Sequence, residues 1–454
     1  MAAPRPFAPK PRQDPQIAVE HLPVESLKFD SRNPNRHERR QIEKIAKSIK
    51  RFGFLVPVLV DGDRTLIAGE GRARAAKTLG MPMIPAIEIG HLSQAQLTAF
   101  MIADNQLCRT GEWNDRLLAE ALKDLADLDL NLDLEATGFE MGEIDFRIGS
   151  LDVQAKDTDP ADVAPAHEPG PAVSQRGDLW LLGSHRAGCD DALDRSAYER
   201  LMQGQRAAAV FTDPPYNVKI EGHASGLGRI QHRDFAMASG EMNEAEFTRF
   251  LSTACSLLAQ HTVPGSLHYL CMDWRHLREL LAAGLETYRE LINLCVWVKH
   301  NGGMGSLYRS QHELVLVFKN GRGRHRNNVQ LGQHGRHRTN VWSYPAINDF
   351  GRSGDEVNLL ALHPTVKPVA MVADAIMDCT ARGEIVLDPF LGSGTTVIAA
   401  QRTGRRCFGL EIDPLYVDTI VRRWQAFTRD DARHAATGRR FDDIARQGRK
   451  RHGR

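Results

Sequence analysis

Residues 385–396, Ile-Val-Leu-Asp-Pro-Phe-Leu-Gly-Ser-Gly-Thr-Thr, constrain this chain more than any other stretch. A short apolar run breaks into a glycine turn and then into residues that open a helix. Gly392 and Gly394 let the backbone turn tightly and come close to a ligand. Thr395 or Thr396 could cap the helix that follows. Strand, glycine turn and helix in this order form the unit of an open α/β sheet, which binds ligands at the carboxyl ends of its strands. The next apolar run, Cys407 to Leu410, ends in Glu411-Ile412-Asp413, about twenty residues on, the spacing at which an acid meets a ribose hydroxyl.

A second buried strand is read at Ala207 to Phe211, and it opens into Asp213-Pro214-Pro215-Tyr216. Two prolines fix φ and remove two backbone donors, so this loop is stiff and offers carbonyls. An acidic acceptor, a bare carbonyl and an aromatic face suit a planar group with an exocyclic amine. The amine would donate to Asp213 and to the Pro214 carbonyl while the ring stacks on Tyr216.

The two motifs together resemble the S-adenosylmethionine-dependent DNA amino-methyltransferases, and the resemblance covers roughly residues 177 to 427. Catalytic loop first and cofactor loop last is similar to the permuted beta group of that family. The resemblance implies catalysis by Asp213, Pro214, Pro215 and Tyr216. It implies cofactor contacts from Asp388, Phe390, Gly392, Gly394, Thr395 and Glu411. His363-Pro364-Thr365-Val366-Lys367-Pro368 resembles the run that holds the methionine end of the cofactor, which adds Thr365 and Lys367. Asp191 matches the family's acid near the cofactor adenine, with a helix N-cap as the competing reading. The segment His312-Glu313 and the tryptophan–lysine stretch before it match family positions that are mostly architectural.

Between the motifs the beta group keeps its target-recognition elements, here about residues 319–362. Residues 319–340 are the most basic internal stretch. Arg322, Arg324 and Arg326 would hold phosphates, and Asn327 and Asn328 would read base edges, since amides pair bidentately with adenine.

The chain before residue 176 has a different character. Residues 1–18 carry five prolines and little apolar content, so a disordered leader is expected. From 19 to 150 a helix over Glu38–Phe52, two short strands, Gly69-Glu70-Gly71-Arg72 and further helices resemble the ParB/sulfiredoxin-like N-terminal domain. In partition proteins that glycine–arginine box binds CTP, so Gly69 and Arg72 are candidates for a nucleotide's phosphates. Here Gly71 stands where the family usually has a first arginine. No helix-turn-helix is evident after residue 130. Residues 151–175, rich in Asp, Pro and Ala, read as a semi-extended linker, and 428–454 as a flexible basic tail.

Composition narrows the class. A net charge of +1 over 454 residues means that any DNA-binding face is local. Seven scattered cysteines without a Cys-x-x-Cys pair read as reduced thiols, neither disulfides nor a metal site. No stretch approaches the length of a membrane span, and a cytoplasmic protein is expected.

The expected architecture is therefore α/β: a Rossmann-like methyltransferase domain with a mixed sheet over 176–427, preceded by a small α+β ParB-like domain. The expected activity is methyl transfer from S-adenosylmethionine to the N6 amine of a flipped adenine in duplex DNA, as in restriction–modification. N4-cytosine methylation is the alternative, since family members acting on cytosine often carry Ser in place of Asp213. An RNA amino-methyltransferase and a non-enzymatic ParB-like DNA-binding protein are the remaining readings. A homodimer is compatible with all of them.

Overall fold

The computed structural model describes residues 18–30, 33–107, 113–128, 133–149, 151, 160–162, 171–217, 240–299, 307–333, 336–345 and 366–452. Contacts divide the chain into two compact units. One comprises Met1–Leu122 with Leu132–Glu140, the other Lys123–Asn131 with Met141–Arg454.

The first unit runs β1 (Glu20–Pro23), α1 (Arg39–Phe52), β2 (Val58–Val60), β3 (Leu66–Ala68), α2 (Glu70–Thr78), β4 (Met83–Glu88) and α3 (Gln94–Leu107). Its four-stranded sheet has the order β1-β4-β2-β3. α1 buries Ala46 and Ile49, and Ile42 and Ile45 pack beside them. It ends where Gly53 takes φ 86° and donates its N–H to the Ile49 carbonyl, a geometry that costs glycine nothing. The strand expected from Leu55 begins only at Val58, because Pro57 has no N–H to give the ladder. α4 (Asp115–Leu128) follows and spans the division between the units.

The second unit begins with α5 (Met141–Gly149), then β5 (Leu179–Leu182), β6 (His185–Cys189), α6 (Arg195–Met202), β7 (Ala207–Thr212), α7 (Glu244–Gln260), β8 (Thr262–Met272) and α8 (Leu277–Thr287). It continues with β9 (Glu290–Val298), β10 (His312–Lys319), β11 (Val341–Ser343), α9 (Val369–Cys379), β12 (Ile385–Asp388), α10 (Thr395–Arg402), β13 (Arg406–Glu411), α11 (Pro414–Thr428), β14 (Arg433–His434) and α12 (Phe441–His452). The strands form a ten-stranded sheet, β11-β9-β10-β8-β7-β12-β13-β6-β5-β14. β8, β7, β12, β13 and β6 are parallel, while β10, β5 and β14 run against their neighbours. This is the expected mixed sheet.

Side chains alternate across it as the two-residue period of a strand requires. Leu314, Leu316 and Phe318 of β10, with Leu270 and Met272 of β8, share one core with α6, α7 and α8. Val315 and Val317, with Tyr269 and Cys271, share the other with α9, α10 and α11. Helices therefore cover both faces of the sheet, and its carboxyl edge is the natural place for a site.

Three expectations about the periphery are corrected. The segment 428–454 is not a loose tail over its described residues: β14 pairs with β5, and Phe441 is fully buried with its ring 5.1 Å from Trp180. Burying such a ring stabilises by about 1.5–3 kcal/mol. The described parts of 151–175 are fastened rather than extended. Asp162 accepts the Val369 N–H at the start of α9, and the N–H groups of Val173 and Ser174 donate to Asp418. Finally, α5 falls with the second unit, although the sequence placed it before a boundary at 150. Asp145 is the physical reason. Its carboxylate is fully buried and accepts two bonds from Arg405, at 3.0 and 2.7 Å, and one from Arg382 at 3.2 Å.

Candidate active site

β7 and β12 lie side by side and parallel, so the loops that leave them open on the same edge. Asp388 ties the two strand ends together. Thr212 Oγ1 donates to its Oδ1 at 2.7 Å, and Thr396 Oγ1 of α10 donates to Oδ2 at 2.6 Å. Burial pushes this carboxyl up to about 6, against the pull of those hydroxyls. Asp388, expected to hold cofactor, lines the cleft, and its oxygens also accept from Thr212, Thr396 and the Phe390 N–H. These bonds set the distance between the two loops.

The glycine turn follows. Gly392 (φ 51°) donates its N–H to Glu411 Oε2 at 2.8 Å, and Gly394 (φ 83°) starts α10 in the left-handed region. A Cβ on Gly394 would lie 3.1 Å from Ile420 of α11. The demand for glycine there comes from backbone sign and protein packing, not from a ligand. Neither threonine caps α10, because Gly394 is its N-cap. Thr395 accepts instead from the buried Arg423, whose guanidinium also donates to the Ser393 and Ala161 carbonyls. Arg423 clamps the turn from behind, and the sequence reading missed it. The available signal was its position three residues after Ile420, on the apolar stripe of α11.

Glu411 ends β13 and is buried. Burial pushes its carboxyl up to about 7, against N–H donors from Asp413 and Gly392. Asp191 follows β6, the next strand, where Asp190 donates its N–H to the Glu411 carbonyl. Asp191 Oδ1 accepts the Leu193 N–H, and its side chain is about one-third exposed. Phe390, Gly392, Asp388, Thr396, Lys367 and Asp213 are among the residues lining a cleft that opens to solvent. Thr365 lies outside the described residues.

The catalytic-loop candidates form a closed polar cluster. Tyr216 Oη donates to Asp213 Oδ1 at 2.5 Å, and Lys367 Nζ donates to Asp213 Oδ2 at 2.5 Å. Lys367 also lies 3.1 Å from Glu313 Oε2, and Lys299 Nζ lies 2.5 Å from Glu313 Oε1. Burial raises the Asp213 carboxyl and Glu313 adds to the rise, against the opposing charge of Lys367. Lys367 was expected at the methionine end of the cofactor. The structure turns its ammonium to Asp213 instead. Glu313, read as architectural, is a full member of this cluster, and a lone carboxylate at the head of a strand gives no sequence signal of its partners. Pro214 is buried behind the loop and Pro215 half-buried.

The DNA-contact candidates lie elsewhere. β10 starts beside the cluster at His312 and ends at Lys319, about 25 Å away at roughly 3.3 Å per residue. Arg322, Arg324, Arg326, Asn327 and Asn328 follow that far end. The Arg324 carbonyl lies against Gly265, near the start of β8, and Asn328 Nδ2 donates to the Met377 and Thr380 carbonyls around the end of α9. Asn328 is buried and cannot read a base. Asn327 Oδ1 accepts the N–H groups of Val329 and Gln330, as an Asx turn does. Arg322 and Arg324 are exposed, and Arg326 lies 3.9 Å from Glu384. Arg336 and Arg338, from the same basic stretch, pair with Asp374 and Asp378. This stretch braces α9 at the amino edge of the parallel strands, opposite Asp213.

In the first unit Gly69 opens α2 with φ 90°, and the Arg72 guanidinium folds back over it to donate to the Pro57 carbonyl at 3.2 Å. Glu70 is buried and bound by Asn33 and Arg74.

Residues 207–422 match the family model described as DNA methylase, and 9–106 match that of the ParB N-terminal domain. The chain joins a ParB N-terminal domain to an N6/N4 DNA methylase domain. The methylase domain is similar to type II methyltransferase M2.DpnII of Streptococcus pneumoniae, 27% identical over 243 residues, which are 50% of this chain and 85% of that protein. Among solved structures, the M1.HpyAVI–SAM complex aligns at 21% identity and a TM-score of 0.39, covering 52% of this chain and 97% of that one. The ParB of Caulobacter crescentus complexed with CTP-γ-S aligns at 21% identity and a TM-score of 0.28, covering 30% and 80%.

A third model, the ParB-methyltransferase HTH domain, matches 116–176. This corrects the expectation that no helix-turn-helix follows residue 130. The described residues of that span include α4, a short 3-10 helix (Leu134–Thr137) and α5. α5 escaped notice in the sequence because it is only nine residues long, with Met141, Ile144 and Ile148 buried. Among the described residues no helix is long and apolar enough to cross a membrane.

Proposed function

We propose that this chain transfers a methyl group from S-adenosylmethionine to the N6 amine of an adenine flipped out of duplex DNA. The observation that supports it best is the pairing of two loops on one edge. A part-buried carboxylate at the end of β7 faces a cleft whose other wall is the glycine turn after β12. A target atom inside a duplex is out of reach of such a recessed acid, so the base has to leave the stack.

The residues present suit the cofactor. The start of α10 offers backbone N–H groups, Phe390 offers an apolar wall, and Glu411 offers a buried acceptor to hydroxyl donors. When bound, S-adenosylmethionine supplies the electrophilic methyl group. The protein's own work is positioning. Asp213 accepts an N–H of the target amine, which draws the nitrogen lone pair out of conjugation with the ring. Tyr216, its hydroxyl anchored on Asp213 and Glu313, presents a fixed aromatic face for the base. Asp213, where cytosine enzymes of the family often carry serine, favours adenine.

The test is transfer of labelled methyl to duplex DNA followed by nucleoside separation. N6-methyladenine is the expected product. N4-methylcytosine would move the target to the alternative base, and label found only in RNA would overturn the reading.

Glu411 makes cofactor binding sensitive to pH. The ionised carboxylate is the acceptor form, and its pKa lies at about 7. Protonation as pH falls through that value removes the acceptor, so affinity should drop by up to about tenfold per unit below it. Glu411→Gln should bind more weakly at high pH and respond little to pH. Calorimetric titrations between about pH 6 and about pH 8 measure both; a parent with flat affinity over that range would remove Glu411 from the site.

A further inference from the structure

An amine entering the cleft meets a catalytic acid whose two oxygens are both occupied. Tyr216 Oη donates to Asp213 Oδ1, and Lys367 Nζ to Oδ2. Each oxygen can accept twice, but the ammonium 2.5 Å from Oδ2 crowds that oxygen and neutralises the charge that would draw the amine. Tyr216 is on the same short loop as Asp213, three residues away, and its neutral hydroxyl also reaches Glu313 at 3.2 Å. Lys367 comes from a different segment and has a second seat within reach: Glu313 Oε2 is already 3.1 Å from its ammonium. The other oxygen of Glu313 is held by Lys299, which fixes the carboxylate at the head of β10.

We propose that Glu313 is a positioning residue that takes over Lys367 when a target amine enters, freeing Asp213 Oδ2 to accept the amine. This rests on the reading of Asp213 as the amine's acceptor. Lys367 is 5% exposed, so water cannot compensate its charge. Without Glu313 the ammonium has one carboxylate left and keeps it. Burial pushes the Glu313 carboxyl up, but Lys367 and Lys299 outweigh that and hold it at about 2, so the second seat stays charged at any working pH. Cys271 and Tyr216 are the other titratable groups facing the ammonium.

The consequence is an unusual pattern of combined mutants. Glu313→Gln keeps the shape but removes the charge, so Lys367 should lock Asp213 and slow single-turnover methyl transfer about 30-fold, with cofactor affinity within about threefold of the parent. Adding Lys367→Met removes the lock, and the double variant should be about tenfold faster than Glu313→Gln alone. Glu313→Asp keeps the charge and should retain most of the rate. A residue that merely supports the fold predicts the reverse, with the double variant no faster than the single.

Rates are read at saturating cofactor on a methylatable duplex, beside calorimetric cofactor binding for every variant. Glu313→Gln turning over like the parent overturns the proposal. So does a double variant no faster than Glu313→Gln, or a Glu313→Asp variant as slow as it. A parent that transfers no methyl to DNA overturns the methyltransferase reading itself, and this inference with it.

Discussion

Asp213→Ala should lose methyl transfer by about a hundred- to a thousandfold while still binding S-adenosylmethionine, because removing a preorganised group aimed at the reacting atom costs that much. The expectation is sharp because the structure separates the two tasks. The backbone donors and Glu411 of the cofactor wall lie around β12, α10 and β13, whereas Asp213 belongs to β7. The variant should also fold. Lys367 loses one carboxylate but keeps Glu313 at 3.1 Å, so no buried charge is orphaned. Single-turnover transfer of labelled methyl gives the rate, and calorimetry gives the affinity. Transfer within about tenfold of the parent would show that the amine is held elsewhere.

The largest effect on stability is expected far from that acid. Asp145→Ala leaves Arg405, fully buried, with only the Thr380 and Thr403 carbonyls and the Thr380 hydroxyl as acceptors. Breaking a buried ion pair from one side costs about 3–5 kcal/mol. For a large domain, at roughly 2–4 °C per kcal/mol, this lowers the melting temperature by about 6–20 °C. The same logic decides where the second unit can be cut. A fragment beginning at residue 176, the boundary read from composition, discards Asp145, Asp162 and the backbone donors to Asp418 together. A fragment beginning at 141 keeps all of them. Thermal melts of the two fragments beside Asp145→Ala are the measurement, and a 176–454 fragment as stable as 141–454 would remove α5 from the core.

What the sequence disclosed and what it hid divide along a physical line. That Asp213 and Glu411 follow or end strands and that Gly392 and Gly394 make a turn could be read because these are local events, and local chemistry fixes their geometry. The mixed sheet was expected from the resemblance those motifs carry. Partnership is not local. Lys367 was assigned by its neighbours in the chain, yet its ammonium answers to Asp213, 154 positions away. Asn328 and Arg336 have the side chains of a DNA reader, but the carbonyls and carboxylates of α9 reach them first. A polar side chain announces that it needs a partner, not which one. The segment after 428 was misread for the complementary reason: Phe441 and Ala432 carry its burial with Ile444 packed beside them, too few apolar residues in a basic stretch to make a pattern.

The placement of the basic stretch has a consequence for how the molecule meets a polyanion. Carboxylates collect at one edge of the large sheet, in Asp191, Asp213, Glu313, Asp388 and Glu411, while Arg322 and Arg324 stand exposed at the other. The full chain carries a net charge of only +1, and Lys299 and Lys367 offset two of those carboxylates, so the exposed arginines are the less compensated charge. At distances beyond a few Debye lengths neither end feels the other's partner, about 8 Å being the screening length at physiological salt. Closer in, the field turns the arginine edge toward phosphate and the carboxylate edge away. Productive docking of the cleft therefore has to be won at short range, by shape and hydrogen bonds, against the torque that the same molecule's charges exert.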